Sequence, residues 1–299
     1  MLANVTGNSA KPDAYVDRLL AELDEISASY AEILGRSSIR NVDPNRGSKD
    51  IVFIGAPKWG WVPSDDAETA ARMALLRSVR DWGPRCRLLF PHPTPEVSKR
   101  LDKGLDHLER WLVRKRGGAI PPNISQALER VEMTVRDLRS LGDLLPADEY
   151  LVRVVVDTNT LLDDPDLTIY KGQLGGRYMV HVPPVVLREI DDHKRGGRNQ
   201  DLREASKRAD RRLKGLRDNG DVRVGARVAG DIFAVFEHIE PKTDGLPSWL
   251  DLTVPDDRFV ASTLMLQSAH PGSAVYVATS DLNLQTKLAA VGLPFVEPV

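Results

Sequence analysis

From Leu144-Leu145-Pro146 onward the sequence is a repeated alternation. Short runs rich in Val and aromatics are separated by stretches long enough to hold a helix. The runs are Val152 to Val156, Tyr178 to Val182, Val222 to Val224, Ala274 to Ala278 and Leu293 to Val296. Strands that alternate with helices return parallel, and the helices cover the sheet. The pattern therefore predicts an α/β fold, a parallel sheet flanked by helices. Gly292, after Ala289-Ala290-Val291, sits where a helix ends in a left-handed glycine.

The first half follows a different period. Tyr15, Val16, Leu19, Leu20, Leu23, Ile26, Tyr30, Ile33 and Leu34 recur at helical spacing. Ile51 to Ile54 reads as a short strand. Ser64, followed by Asp65, Asp66 and Glu68, reads as the cap of a helix ending near Trp82-Gly83-Pro84. Thr94-Pro95-Glu96 opens another helix, which runs out at Arg114-Lys115-Arg116, and Asn123 caps a fourth. The two registers divide the 299 residues into a mainly α-helical accessory domain, 1–148, and a sheet-containing domain, 149–299. Trp59 and Trp61 read as buried or partner-facing tryptophans. The accessory domain is accordingly expected to cover its neighbour or to recruit a protein partner or a second copy.

Composition narrows the function. An apolar content of 41% supports real cores, and the single cysteine, Cys86, excludes a disulfide framework and a cysteine-based zinc site. No stretch approaches the ~20 apolar residues of a membrane span. The opening MLANVTGNSAKPDAYVDR lacks the basic and apolar regions of a secretory leader, so the expected location is cytoplasmic. A net charge of -2 argues at first against a nucleic-acid partner. Residues 191–220, however, hold ten Lys and Arg against six Asp and Glu. A basic segment lies inside an otherwise acidic domain.

In open parallel sheets, ligands bind beyond the carboxyl ends of the strands. Acids recur at those places: Asp157 directly after Val156, Glu189 in VPPVVLREIDDHK, Asp257 in PDDRFVASTLMLQ, and Asp281 after VYVATS. Each one singly reads as a helix cap or a solvated side chain. Four carboxylates at one sheet edge repel one another unless a cation sits between them, and Mg²⁺ and Mn²⁺ take such oxygen ligands. No Walker sequence, dinucleotide fingerprint or GxSxG elbow is present. An Asp-x-Asp phosphotransfer pair is excluded because Asn159 stands at the third position.

Four segments carry a family likeness: VVVDTNTLL, VVLREID, DDRFVA and ATSDLNL, in this order and strand context. Residues ~151–299 resemble a PIN domain, a metal-dependent nuclease fold. The resemblance implies an acidic centre of Asp157, Glu189, Asp257 and Asp281 binding Mg²⁺ or Mn²⁺, supported by Asn159 and by Thr279 or Ser280. Asp257 is chosen over Asp256 because Val260 and Ala261 then fall at the family's spacing; Asp256 stays open as an outer partner or as the ligand itself. Asp163, Asp164, Asp191 and Asp192 read as solvated.

The resemblance further implies hydrolysis of a phosphodiester by a metal-activated water, leaving 3′-hydroxyl and 5′-phosphate ends. RNA ranks ahead of DNA because ribonucleases predominate in the family, and the expected enzyme is an endoribonuclease. The basic helix after Glu189 then has a role. Lys194, Arg195, Arg198, Lys207, Arg208, Arg211 and Arg212 would track a phosphate backbone, and Gly196-Gly197 would give that helix a flexible entrance. His193 is a further candidate phosphate contact. Two alternatives remain at this level: a toxin of a toxin–antitoxin pair, and a binding or scaffold module that keeps the fold without cleavage.

Overall fold

The computed structural model describes residues 13–43, 45, 54, 58–114, 119–238, 240–242, 245–247 and 249–298. The chain divides into two compact units, Val16–Leu145 and Pro146–Val299.

In the first unit, α1 (Tyr15–Arg36) is followed by a two-stranded antiparallel ribbon, β1 (Ile39–Asn41) with β2 (Trp59–Trp61). Three long helices complete it: α2 (Asp66–Leu88), α3 (Pro95–Leu112) and α4 (Ile124–Leu141). Leu19, Leu23, Ile26, Tyr30, Ile33 and Leu34 form the buried stripe of α1. Two buried polar tips are satisfied by helix carbonyls: Trp82 Nε1 donates to Leu19 O at 2.8 Å, and Tyr30 Oη donates to Leu108 O at 2.9 Å. Gly104 lets α3 approach α4, since a Cβ there would lie 2.7 Å from Leu138 Cδ2. Of the expected strand Ile51 to Ile54, 51–53 lie outside the described residues and Ile54 sits in a turn.

One helix differs from expectation. α2 does not end at Trp82-Gly83-Pro84 but carries Pro84 inside it and continues to Leu88. Pro84 forgoes one helix hydrogen bond, while Val79, Trp82, Gly83 and Cys86 are all buried, so packing on both sides of the proline holds the helix together. The cap is Asp65 rather than Ser64, with Asp65 Oδ1 accepting Glu68 N at 2.7 Å. Trp59 and Trp61 are half-buried, and the Trp61 ring has neighbours within its own unit. The Arg114 guanidinium lies 4.0 Å from its centroid and Trp111 meets its edge at 5.6 Å. Arg114 stands in the left-handed region (φ 52°), tied by hydrogen bonds to Glu68 and Ser37.

The second unit is an α/β layer structure. Its elements are β3 (Val152–Val156), α5 (Thr158–Asp163), α6 (Lys171–Leu174), β4 (Arg177–Val182), α7 (Pro184–Gly196), α8 (Gln200–Gly215), β5 (Ala226–Ala229), β6 (Asp231–Phe236), α9 (Pro255–Ala269), β7 (Ala274–Ala278), α10 (Leu282–Ala290) and β8 (Phe295–Val296). The strand order is β5-β6-β4-β3-β7-β8, with every neighbouring pair parallel except β5 with β6. All five residues of β3 and of β7 are buried, Arg153 in β3 included.

The strand expected at Val222 to Val224 is a turn. Asp221 Oδ1 accepts Arg223 N at 2.9 Å, and its carbonyl accepts the amides of Val224 and Gly225, so local bonds outcompete a ladder. The edge hairpin forms instead from β5 and β6 around Gly230, whose φ of 55° suits the turn. Gly292 has φ 72°, as a helix-ending glycine requires.

Candidate active site

The carboxyl ends of the central strands open into a cleft of about 230 Å³. Asp157 follows β3 directly and caps α5, Oδ1 accepting Thr160 N at 2.7 Å. Its own amide donates to Ala278 O at 3.3 Å, fastening the end of β3 to the end of β7. Asp281 caps α10, Oδ1 accepting the amides of Asn283 (2.7 Å) and Leu284 (3.2 Å). Glu189 enters from α7, with Oε2 accepting the Thr158 hydroxyl. The fourth acid in the lining is Asp256, beside Pro255 and Phe259 of α9.

The tandem aspartates therefore part company: Asp256 lines the cleft, whereas Asp257, the acid expected there, is not in its lining. Both of its oxygens are engaged, Oδ2 accepting Asp251 N at 2.9 Å and Oδ1 pairing with Lys287 Nζ at 2.7 Å. On a helix, adjacent residues point about 100° apart, so only one of the pair can face the strand ends. Burial alone would raise the Asp257 carboxyl, but Lys287 and the Asp251 amide outweigh it and hold the group below its ordinary range.

Each acid of the cleft spends one oxygen on the fold. Among the described residues, no hydrogen bond or ion pair engages Asp157 Oδ2, Asp281 Oδ2, Glu189 Oε1 or Asp256 Oδ1. No three Asp, Glu, His or Cys side chains among the described residues are gathered onto one point as an ion-holding group. The four carboxylates line the walls instead, as an all-oxygen donor set of the kind hard divalent cations take. Volume alone would not single this cleft out. A depression of about 270 Å³ lies between α1 and α2, but its one cation, Arg85, is bonded to Glu22 at 2.9 Å.

Residues 154–297 match the family model of the PIN domain. The C-terminal half carries a PIN domain. This is a nuclease-type fold, generally dependent on divalent metal, and PIN domains bind nucleic acid. The match does not extend to the N-terminal helical unit, and no curated protein matches the chain.

Within the PIN domain, the expected supporting residues have different positions. Asn159 is exposed and lines the cleft. Thr279 is fully buried, and its Oγ1 accepts Asp281 N at 3.1 Å, which orients the acid without meeting the cleft. Ser280 is exposed and outside the lining. His193 does line the cleft, one helical turn beyond Glu189.

The basic residues also separate. Lys194 is tucked between Asp191 (2.7 Å) and Asp210 (3.2 Å), Lys207 pairs with Glu204 (2.8 Å) and Arg212 with Asp166 (3.3 Å). Arg195, Arg198, Arg208 and Arg211 are exposed, and among the described residues no hydrogen bond or ion pair engages them. Gly197 is not a flexible entrance. It is buried, donates to His193 O at 2.9 Å and accepts from the Arg203 guanidinium at 2.7 Å.

Three contributors escaped sequence reasoning: Thr158, Asn283 and Lys287. Thr158 carried a faint signal, because a hydroxyl one residue after a strand-end acid faces the same opening. Asn283 and Lys287 share a face of α10 at a spacing of four residues, but nothing local tells which acid that face meets.

Proposed function

We propose that the PIN domain is a divalent-metal-dependent nuclease, with RNA as its substrate. The observation that carries the reading is the convergence of Asp157, Glu189, Asp256 and Asp281 from four separate segments on one cleft, each with an oxygen left unengaged. These four would hold Mg²⁺ or Mn²⁺. When bound, such ions supply a water activated for attack on phosphorus and neutralise charge on the leaving oxygen.

The chain's own groups support this chemistry. The caps of α5 and α10 fix Asp157 and Asp281, and Thr158 holds Glu189, so three carboxylates are oriented by the backbone and its neighbours. Asn159 and His193 reach the cleft as polar contacts for substrate, and the unengaged guanidinium groups of Arg195, Arg198, Arg208 and Arg211 offer a phosphate-tracking face. The ranking of RNA over DNA rests on the family likeness. The N-terminal unit is assigned an accessory role, recruiting a partner or a second copy.

The deciding experiment incubates single-stranded RNA with the protein and Mn²⁺, beside Asp157→Asn. Loss of rate on the order of 100-fold or more is expected, the scale of removing one group that stabilises transition-state charge. Equal cleavage by both proteins would sink the assignment. Spread of the carboxylates along the cleft walls favours the second reading, a module that binds nucleic acid without cutting. Mn²⁺ binding and RNA binding with no turnover on any nucleic acid would select it.

A further inference from the structure

The last third of the PIN domain contains a device that sorts the tandem aspartates. Asn283 and Lys287 lie one turn apart on α10, the helix whose N-terminus is capped by Asp281. Asn283 Nδ2 donates to Asp256 Oδ2 at 3.0 Å, and Lys287 Nζ reaches the same oxygen at 3.3 Å. Lys287 Nζ is also 2.7 Å from Asp257 Oδ1. The lysine side chain is 21% exposed and that of Asp257 10% exposed, so this ion pair is largely withdrawn from water.

We propose that Lys287 is a positioning residue. It neutralises Asp257 and turns it inward, and with Asn283 it grips Oδ2 of Asp256, so that Asp256 alone presents an oxygen, Oδ1, to the cleft. One helix thus contributes an acid at its tip, Asp281, and aims a second acid from its side. The inference rests on the nuclease reading, because it assigns Asp256 a place among the groups that hold the ion. Its content is separate: the carboxylate is useful only while Lys287 holds it.

The test is a double-mutant cycle read by Mn²⁺ binding, followed by calorimetry or electron paramagnetic resonance, with no turnover required. In the wild-type background, Asp256→Asn weakens Mn²⁺ binding about tenfold or more, and Asp257→Asn changes it by less than about threefold. In a Lys287→Met background, Asp256→Asn costs less than about threefold, because the carboxylate is no longer aimed. Lys287→Arg restores the larger effect. If Lys287→Met alone fails to fold, because it strands the buried Asp257 charge, the cycle is run in Asp257→Asn, where no such charge remains.

An Asp256→Asn penalty of equal size in both backgrounds overturns the positioning role, because a merely structural lysine would leave that penalty unchanged; the nuclease reading would stand. Mn²⁺ affinity dependent on Asp257 and indifferent to Asp256 overturns the sorting itself. A wild-type protein that binds no Mn²⁺ overturns the nuclease reading, and the role of Lys287 falls with it.

Discussion

His181 is the residue whose surroundings leave it the least choice. It is buried in β4, between Arg153 and Glu237. Arginine has no acceptor, so the 3.1 Å contact from the Arg153 guanidinium makes His181 Nε2 the acceptor. The ring proton then resides on Nδ1 and donates to Glu237 Oε1 at 2.7 Å. Geometry requires a neutral imidazole, in line with burial pushing its pKa down to about 4. The unfolded chain takes a proton near pH 6.5 and the folded one only near pH 4, so the unfolded state binds more protons between them. Stability contributed here is full above pH 6.5 and is lost as pH falls towards 4, by an amount on the order of 3 kcal/mol. Urea unfolding at pH 7.5, 5.5 and 4.5 checks this. The wild type should lose more stability over that range than His181→Gln, and parallel curves would refute it.

At the level of elements, the corner between α7 and α8 sets where Glu189 and His193 point. A Cβ on Gly197 would lie 2.6 Å from His193 O, a backbone atom that cannot step aside without moving α7. At Gly196 nothing lies within 4 Å. Gly197→Ala is therefore expected to destabilise the protein by about 1–3 kcal/mol, as overpacking does, and to weaken Mn²⁺ binding through the displaced Glu189. Gly196→Ala, at the last position of α7, should be neutral or slightly stabilising, by up to about 1 kcal/mol. Thermal melts of the two variants compare them directly, and equal shifts would refute the rigid corner.

The elements themselves were unequally legible. Val152–Val156 and Ala274–Ala278 were readable to the residue, because a short stretch dominated by Val and aromatics between helix-length segments suits a strand buried on both faces, even with Arg153 inside the first. Val222 to Val224 looked similar and failed, since Asp221 offers local hydrogen bonds that such propensities ignore. β6, an apolar run from Ile232 to Phe236 lying between β5 and β4, was not among the strands expected from the sequence. Pro84 marked a helix end by local rules, and packing on both sides overrode it.

For the whole molecule, the net charge of -2 is a sum of unlike parts. Acids line the strand-end cleft while Arg195, Arg198, Arg208 and Arg211 stand exposed on and beside α8. Every cation of that segment looked equivalent in the sequence; their carboxylate partners at Asp166, Asp191, Glu204 and Asp210 removed some of them. Arg208→Ala with Arg211→Ala, measured in the Asp157→Asn protein, should flatten the salt dependence of RNA binding by roughly 0.7 in log–log slope for each lost phosphate contact. Lys207→Ala should leave the slope nearly unchanged, its charge being offset by Glu204. An unaltered slope in the double arginine variant would remove this face from the interface.

The sequence alone determined what depends on near neighbours: the switch from helical to strand period, the caps at Asp157 and Asp281, and the acids at strand ends. Both periods and caps are set within a few residues, so a linear reading reaches them. Asp256 and Asp257 lie beyond that reach. Both precede apolar residues at helical spacing, and the choice between them is made by Asn283 and Lys287, some thirty residues further on. Only the packing of α10 against α9 brings that lysine to the pair, and Coulomb attraction in a partly dry contact then decides which carboxylate turns in and which faces the cleft.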